Sequence, residues 1–164
     1  MYSSANASYL EFLIRAVDNG LVSSKLQTLN VGDMVEIDGP YGEFCIQEEN
    51  ISRKHLFIGS GTGVAPFHSF TQTYPELDYL VLHGIRYSEE AYNREDYKLD
   101  SYYPCISKNT NGESMRVTDF LKTNLPKQET IIYLCGNRNM IVDSVQILFD
   151  HGINGDQINT EVFF

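Results

Sequence analysis

The sequence predicts an α/β fold: a five-stranded, doubly wound parallel sheet of order 3-2-1-4-5, preceded by part of an antiparallel β-barrel. Three observations predict it. Compact apolar runs recur after residue 50 and alternate with helical patterns, as βαβ units do. Before that point the apolar residues alternate in strand fashion, up to a turn at Gly39-Pro40-Tyr41-Gly42. Finally, glycine-bearing turns close the first and fourth of the later runs, and each opens a helical pattern.

In order along the chain, Tyr9 to Val17 and Asp33 to Asp38 read as strands, bounded by turn residues. Between them, Ser23 to Leu29 opens on an N-cap type residue and has the apolar spacing of a short helix. A boundary near residue 50 separates residues 1–49 from residues 50–164. The later strands are expected at His55 to Ile58, Tyr79 to His83, Tyr103 to Ser107, Thr130 to Leu134 and Gln157 to Val162. Helices are expected at Pro66 to Thr73, Val117 to Asn124 and Asn139 to His151. The Tyr-rich, charged connection from Arg86 to Tyr102 is left open between helix and loop. Parallel neighbours need such crossovers, which is what makes the sheet doubly wound.

The chain has 164 residues, enough for one ordinary domain or one domain and part of another. A 42% hydrophobic and 21% charged composition describes a packed globular protein. Twelve Lys and Arg against 22 Asp and Glu leave a net charge of −10, which disfavours nucleic acid as a partner. No apolar run suits membrane insertion, and the expected location is cytoplasmic. Cys45, Cys105 and Cys135 are odd in number and far apart, so reduced thiols are expected rather than disulfides, and no metal site.

Open parallel sheets bind ligands outside the carboxyl ends of their strands, where the strand order reverses. The loop Gly59-Ser60-Gly61-Thr62-Gly63-Val64-Ala65-Pro66 stands at one such end, with Pro66 suited to a first helical turn. Amides at that helix start suit a pyrophosphate. Cys135-Gly136-Asn137 stands at the other, and in a 3-2-1-4-5 sheet the two loops face each other. Val64 occupies the place of the third fingerprint glycine, and the second strand ends in His83-Gly84 with no acid for a ribose hydroxyl. That disfavours a conventional NAD Rossmann dehydrogenase. Ser107, Lys108 and Arg116 supply a hydroxyl and two cations suited to a 2′-phosphate, with solvated surface charge as the alternative. His83 reads as structural rather than catalytic.

Taken together, Gly59 to Phe67, His83-Gly84-Ile85-Arg86, Ser107-Lys108, Leu134 to Met140 and the terminal Glu161-Val162-Phe163-Phe164 resemble the ferredoxin-NADP reductase superfamily. The N-terminal stretch agrees. Tyr2-Ser3 is similar to the end of its Arg-x-Tyr-Ser flavin motif, Gly20 to Ser23 to its flavin pyrophosphate turn, and Gly39 to Phe44 to the close of its flavin barrel.

The resemblance implies a flavin-dependent NAD(P)H oxidoreductase with FAD and NADP (or NAD) as cofactors. Tyr2 would pack on the isoalloxazine, Ser3 would bond near flavin N5, and Val22 and Ser23 would bind the FAD pyrophosphate. Gly61, Thr62, Gly63, Val64, Ala65 and Pro66 would cradle the NAD(P) pyrophosphate, with Arg86, Gly136, Asn137 and Met140 also lining that cofactor. Ser107, Lys108 and Arg116 would contact a 2′-phosphate. Ser3, Cys135 and Glu161 would form the catalytic set around the nicotinamide, and Phe163 and Phe164 would cover the flavin face.

The resemblance also implies further strands and an Arg ahead of Tyr2, so the chain is expected to hold only the second half of the flavin barrel. Open barrel edges invite pairing, including a homo-oligomer. Lys108 stands where NADP-specific relatives commonly carry Arg, which makes NADP a lean over NAD. The implied electron partner is a ferredoxin, flavodoxin or other carrier, although the acidic balance is not built to attract an acidic one. The competing reading is a non-catalytic nucleotide-binding or regulatory electron-transfer subunit. An oxygenase reductase carrying its own iron-sulfur domain would need a cysteine cluster that the sequence lacks.

Overall fold

Five parallel strands form one sheet in the computed structural model, which describes residues 1–108 and 114–163. They are β1 (Lys54–Ser60), β2 (Asp78–Ile85), β3 (Tyr102–Ile106), β4 (Ile131–Gly136) and β5 (Ile158–Val162), in the order β3-β2-β1-β4-β5. Both faces of this sheet must be covered, which is why its central strands are continuous apolar runs rather than alternating ones. Within β1, Phe57 faces one core and Leu56 and Ile58 face the other. Within β4, Ile131, Tyr133 and Cys135 face the first core, and Ile132 and Leu134 the second.

Helix α1 is a single turn at Ser23–Leu26, and α2 spans Ala65–Thr73. The later helices are α3 (Val117–Thr123) and α4 (Arg138–Asp150). Phe67 and Phe70 of α2 fill the first core against Phe57 and Tyr133. Val117 and Leu121 of α3, with Ile141 and Leu148 of α4, fill the second. All five later strands and their three helices stand where the apolar runs predicted them, within one to two residues. The connection left open between Arg86 and Tyr102 holds two short 3-10 turns, Ser88–Glu90 and Arg94–Asp96, and no α-helix.

The N-terminal stretch departs from expectation. Tyr9 to Val17 and Asp33 to Asp38 form no strand, and among the described residues before Lys54 there is no sheet ladder at all. The partial barrel is therefore present as a sequence match and an extended trace rather than as paired strands. The physical reason is that ladder groups need partners, and here the backbone contacts are local turns plus Tyr2 N–H to the Glu11 carbonyl at 2.7 Å. Strand-type side chains stay in solvent as a result: Leu10, Ile14, Val31, Met34 and Ile37 are all exposed, Met34 at 96%.

This stretch is nevertheless anchored to the sheet. Phe44 and Leu13 pack on the first core, and the Tyr133 hydroxyl donates to the Cys45 carbonyl at 3.0 Å. Helix α2 grips the chain start. His68 Nδ1 bonds the Tyr2 carbonyl at 2.8 Å, Ser69 Oγ donates to the Ser3 carbonyl at 2.7 Å, and Ala5 N–H donates to Thr73 Oγ1 at 2.9 Å.

Candidate functional site

The sheet order puts the first strand beside the fourth at its switch point, and there the two glycine turns touch. Cys135 lies opposite Gly59 in the β1–β4 register. A Cβ added to Gly63 would overlap the Cys135 carbonyl and stand 2.7 Å from Gly136 Cα. A Cβ added to Gly136, whose φ is +125°, would stand 2.8 Å from the Ser60 carbonyl. Only glycine allows this approach, which accounts for both residues. Ser60 Oγ closes the junction by accepting the Asn137 N–H at 2.8 Å. Asn137 then caps α4, its side chain accepting from Asn139 N–H at 3.0 Å and Met140 N–H at 3.4 Å.

Over this junction opens a cleft of about 530 Å³. It runs from Gly61 and Thr62 along the ends of β2 and β3, where Arg86, Ser107 and Arg116 stand, and back to Gly136, Asn137 and Met140 beside Phe163. Phe163 is placed there by its own backbone, since its N–H donates to the Gly136 carbonyl at 2.9 Å. Three arginines, Arg15, Arg86 and Arg116, face two acids, Glu90 and Asp143. A cationic cleft in a chain of net charge −10 is a local anion site. Guanidinium forks suit phosphate oxygens in particular.

The other expected residues are placed elsewhere, each for a physical reason. Gly63, Val64 and Ala65 are buried, and Pro66 sits at the start of α2, so they form the base of the turn rather than its lining. Cys135 is fully buried beneath the cleft, opposite Glu161 in the β4–β5 register. Burial pushes its thiol up to about 12; the Glu161 charge adds to this, and the nearby Met1 ammonium opposes it. The thiol is therefore not ionised at neutral pH and is no nucleophile there. Lys108 lies outside the cleft, with its ammonium 5.9 Å from the Tyr87 ring centroid, a cation–π contact. Tyr2 and Ser3 are buried, with Tyr2 stacked on His68 at 3.8 Å. Ser3 Oγ is occupied by the Glu11 N–H at 3.1 Å. Val22 and Ser23 are outside the cleft lining, and Ser23 Oγ accepts the Val17 N–H at 3.1 Å. Phe164 lies outside the described residues.

Sequence reasoning missed Arg15, Glu90 and Asp143. No pattern marks them, because each reaches the cleft through long-range placement: Arg15 from the N-terminal stretch, Glu90 from a 3-10 turn and Asp143 from one face of α4. His83 reads as structural, and its surroundings are those of a packed, bonded group. This imidazole is fully buried between the Tyr102 hydroxyl, 2.6 Å from Nδ1, and the Gly61 carbonyl, 2.8 Å from Nε2. Burial holds its pKa down to about 4.

The residues fit a dinucleotide. The two glycine turns pack backbone on backbone beneath the cleft, and the cleft above them carries three arginines against two acids. For a flavin, the buried Tyr2 hydroxyl has no hydrogen-bond partner among the described residues, and Ser3 and Ser23 each accept one backbone N–H, which leaves each an O–H to donate.

Comparison with known proteins agrees. Residues 57–146 match the family model described as an oxidoreductase NAD-binding domain, and residues 1–46 match an oxidoreductase FAD-binding domain. A ferredoxin–NADP reductase of Azotobacter vinelandii is 28% identical over 93% of this chain and 72% of that protein. A toluate 1,2-dioxygenase electron transfer component of Pseudomonas putida is 30% identical over 94% of this chain, which spans only 50% of that protein's length. Among solved structures, a ferredoxin NADP+ reductase from Neisseria gonorrhoeae with bound FAD and NADP aligns with TM-score 0.73 at 22% identity, over 90% of this chain and 72% of that one. An Amycolatopsis cytochrome P450 reductase aligns with the same score at 23% identity, over 92% and 50% of the two chains. No helix among the described residues is long and apolar enough to cross a membrane. By its glycine turns, its strand order and its match over residues 57–146, the chain belongs to the ferredoxin–NADP reductase-like family of FAD- and NAD(P)-dependent oxidoreductases.

Proposed function

We propose that this chain binds a nicotinamide dinucleotide across its two glycine turns and presents the ring for hydride exchange with FAD. Electrons then pass singly to or from a protein carrier. The observation that carries the reading is the contact between the Gly63 and Cys135–Gly136 turns under a cleft lined by three arginines. We divide the chain into a flavin-side stretch, residues 1–49, and a nucleotide-binding domain, residues 50–164, because the sheet and its helices lie in the second.

When bound, the two cofactors supply the redox chemistry, a hydride moving between the nicotinamide carbon and the flavin nitrogen with its electron pair. The chain supplies position and environment. Amides of Gly61 and Thr62, in the turn that leads into α2, and the arginines of the cleft hold the pyrophosphate and any 2′-phosphate. Neutral Cys135 lies beneath the floor without competing as a nucleophile, and Glu161, exposed and paired with it in the β4–β5 register, would hold a proton or orient the carboxamide. Phe163 covers the place of the nicotinamide until the ring displaces it. Ser69 of α2 holds the Ser3 carbonyl, and the Met1 ammonium is close enough to act on the Cys135 thiol.

Ser107, Arg86 and Arg116 line the cleft and would choose between NADP and NAD, with Lys108 beside them over the Tyr87 ring. The acidic balance disfavours an acidic carrier. Three unpaired thiols fit a reducing compartment such as the cytoplasm.

A second reading, a nucleotide-binding subunit without flavin, is favoured by one observation: the flavin-side stretch forms no sheet ladder among the described residues before Lys54. Titration of the full chain with FAD, followed by visible absorbance and flavin fluorescence, separates the two. A perturbed flavin spectrum that NADPH or NADH bleaches under anaerobic conditions supports the oxidoreductase. Retained ADP-ribose binding with no flavin response supports the subunit.

A further inference from the structure

We propose that His83 is a positioning residue for the dinucleotide, acting through the Gly61 peptide rather than by touching the ligand. The inference deepens the function proposed above and rests on it.

Gly61 adopts φ +53°, and a Cβ there would meet nothing within 4 Å. A Cβ-free residue leaves this peptide room to turn by local sterics. Two restraints oppose that: the 3-10 turn Gly61–Val64 that leads into α2, and His83 Nε2, 2.8 Å from the Gly61 carbonyl. A carbonyl only accepts, so Nε2 carries the proton. In a neutral ring Nδ1 then accepts, and the Tyr102 hydroxyl, 2.6 Å away, is its donor. The tautomer is fixed by these two contacts, and Tyr102 is held in turn by stacking on Tyr97, with ring centroids 4.8 Å apart.

The consequence follows from peptide planarity. The Gly61–Thr62 bond is trans, since Gly39–Pro40 holds the one cis bond recorded among the described residues. In a trans peptide the C=O and N–H point in opposite directions. Holding the Gly61 carbonyl down on His83 therefore aims the Thr62 N–H the other way, and Thr62 lines the cleft. A flipped peptide would present a carbonyl dipole to a pyrophosphate in place of a donor. His83 adds to the 3-10 turn a side-chain contact against that alternative, from inside the fold.

The test measures binding of ADP-ribose to the full chain by calorimetry. His83→Leu, which cannot donate, is expected to weaken binding about fivefold to tenfold, the worth of one oriented hydrogen bond. His83→Gln keeps an N–H at similar reach and is expected to restore affinity to within about twofold of the parent. A merely structural histidine would show no such rescue at matched stability. Imidazole ¹⁵N spectra of the parent are expected to report the Nε2–H tautomer, and Tyr102→Phe to let the Nδ1–H form appear. These readings need no substitution at His83 itself, so a His83→Leu chain that fails to fold does not end the test. Equal affinity in His83→Leu and parent, no rescue by His83→Gln, or an Nδ1–H tautomer in the parent would overturn the proposal. A parent that does not bind ADP-ribose at all would instead overturn the function on which it rests.

Discussion

Replacing Gly63 by Ala tests the junction on which the site is built. By chain entropy alone the change should help: Gly63 has no left-handed φ, and Gly→Ala at a compatible position stabilises by about 0.4–1 kcal/mol. The structure predicts the opposite sign. The new methyl would overlap the Cys135 carbonyl and crowd Gly136 Cα, both backbone atoms of a central strand end that no side-chain rotation can relieve. Overpacking of this kind costs about 1–3 kcal/mol, and a backbone neighbour places it at the upper end. With a urea m-value of about 2 kcal/mol/M, a loss of about 3 kcal/mol moves the midpoint down by about 1.5 M. Forcing the turns apart also moves the Thr62 amide away from its partners across the cleft, so ADP-ribose affinity should fall about tenfold. Gly61→Ala is the matched comparison. It meets no atom within 4 Å and loses only the left-handed preference, about 1 kcal/mol. Equilibrium urea unfolding of both variants decides the matter. A Gly63→Ala chain as stable as the parent, or less affected than Gly61→Ala, refutes the idea that the two turns are in contact.

Other consequences can be measured alongside. His83 is held neutral, with a pKa of about 4 against an ordinary 6.5, so the unfolded chain binds the extra proton between those values. Its contribution is complete above pH 6.5 and is lost as pH falls toward 4, by at most about 3 kcal/mol. Unfolding free energies of the parent should drop more steeply over that window than those of His83→Gln. The buried His55, shifted the same way, stays common to both. Asn137→Ala removes the cap of α4 and should cost about 1 kcal/mol in thermal or urea unfolding. Phe163→Ala should tighten apparent nicotinamide affinity in a flavin-loaded chain, read from the KM for NADPH or NADH; an unchanged or higher KM would contradict its covering role.

How far the sequence carries the fold depends on where each element finds its hydrogen-bond partners. The sheet was legible because β1 and β4 are apolar on both faces, a pattern that states its own two-sided burial, and because Gly61, Gly136 and Pro66 mark the strand-to-helix turns. Tyr9 to Val17 carries an equally good strand pattern and forms no strand. Alternation says which face would be buried, not which chain supplies the opposite ladder, and Met34 and Val31 remain in solvent for want of one. The site divides along the same line. Residues at strand ends, such as Ser107, Asn137 and Phe163, were legible because topology alone delivers them to the cleft. Lys108 is a different case, because a long side chain chooses its partner after the backbone is placed, and here its ammonium lies over the Tyr87 ring. His83 shows the converse. A histidine at an apolar strand end reads as structural, and so it is, yet the atom it holds is the Gly61 carbonyl. In this fold the distinction between structural and functional therefore follows the far end of a hydrogen bond, which the sequence does not record.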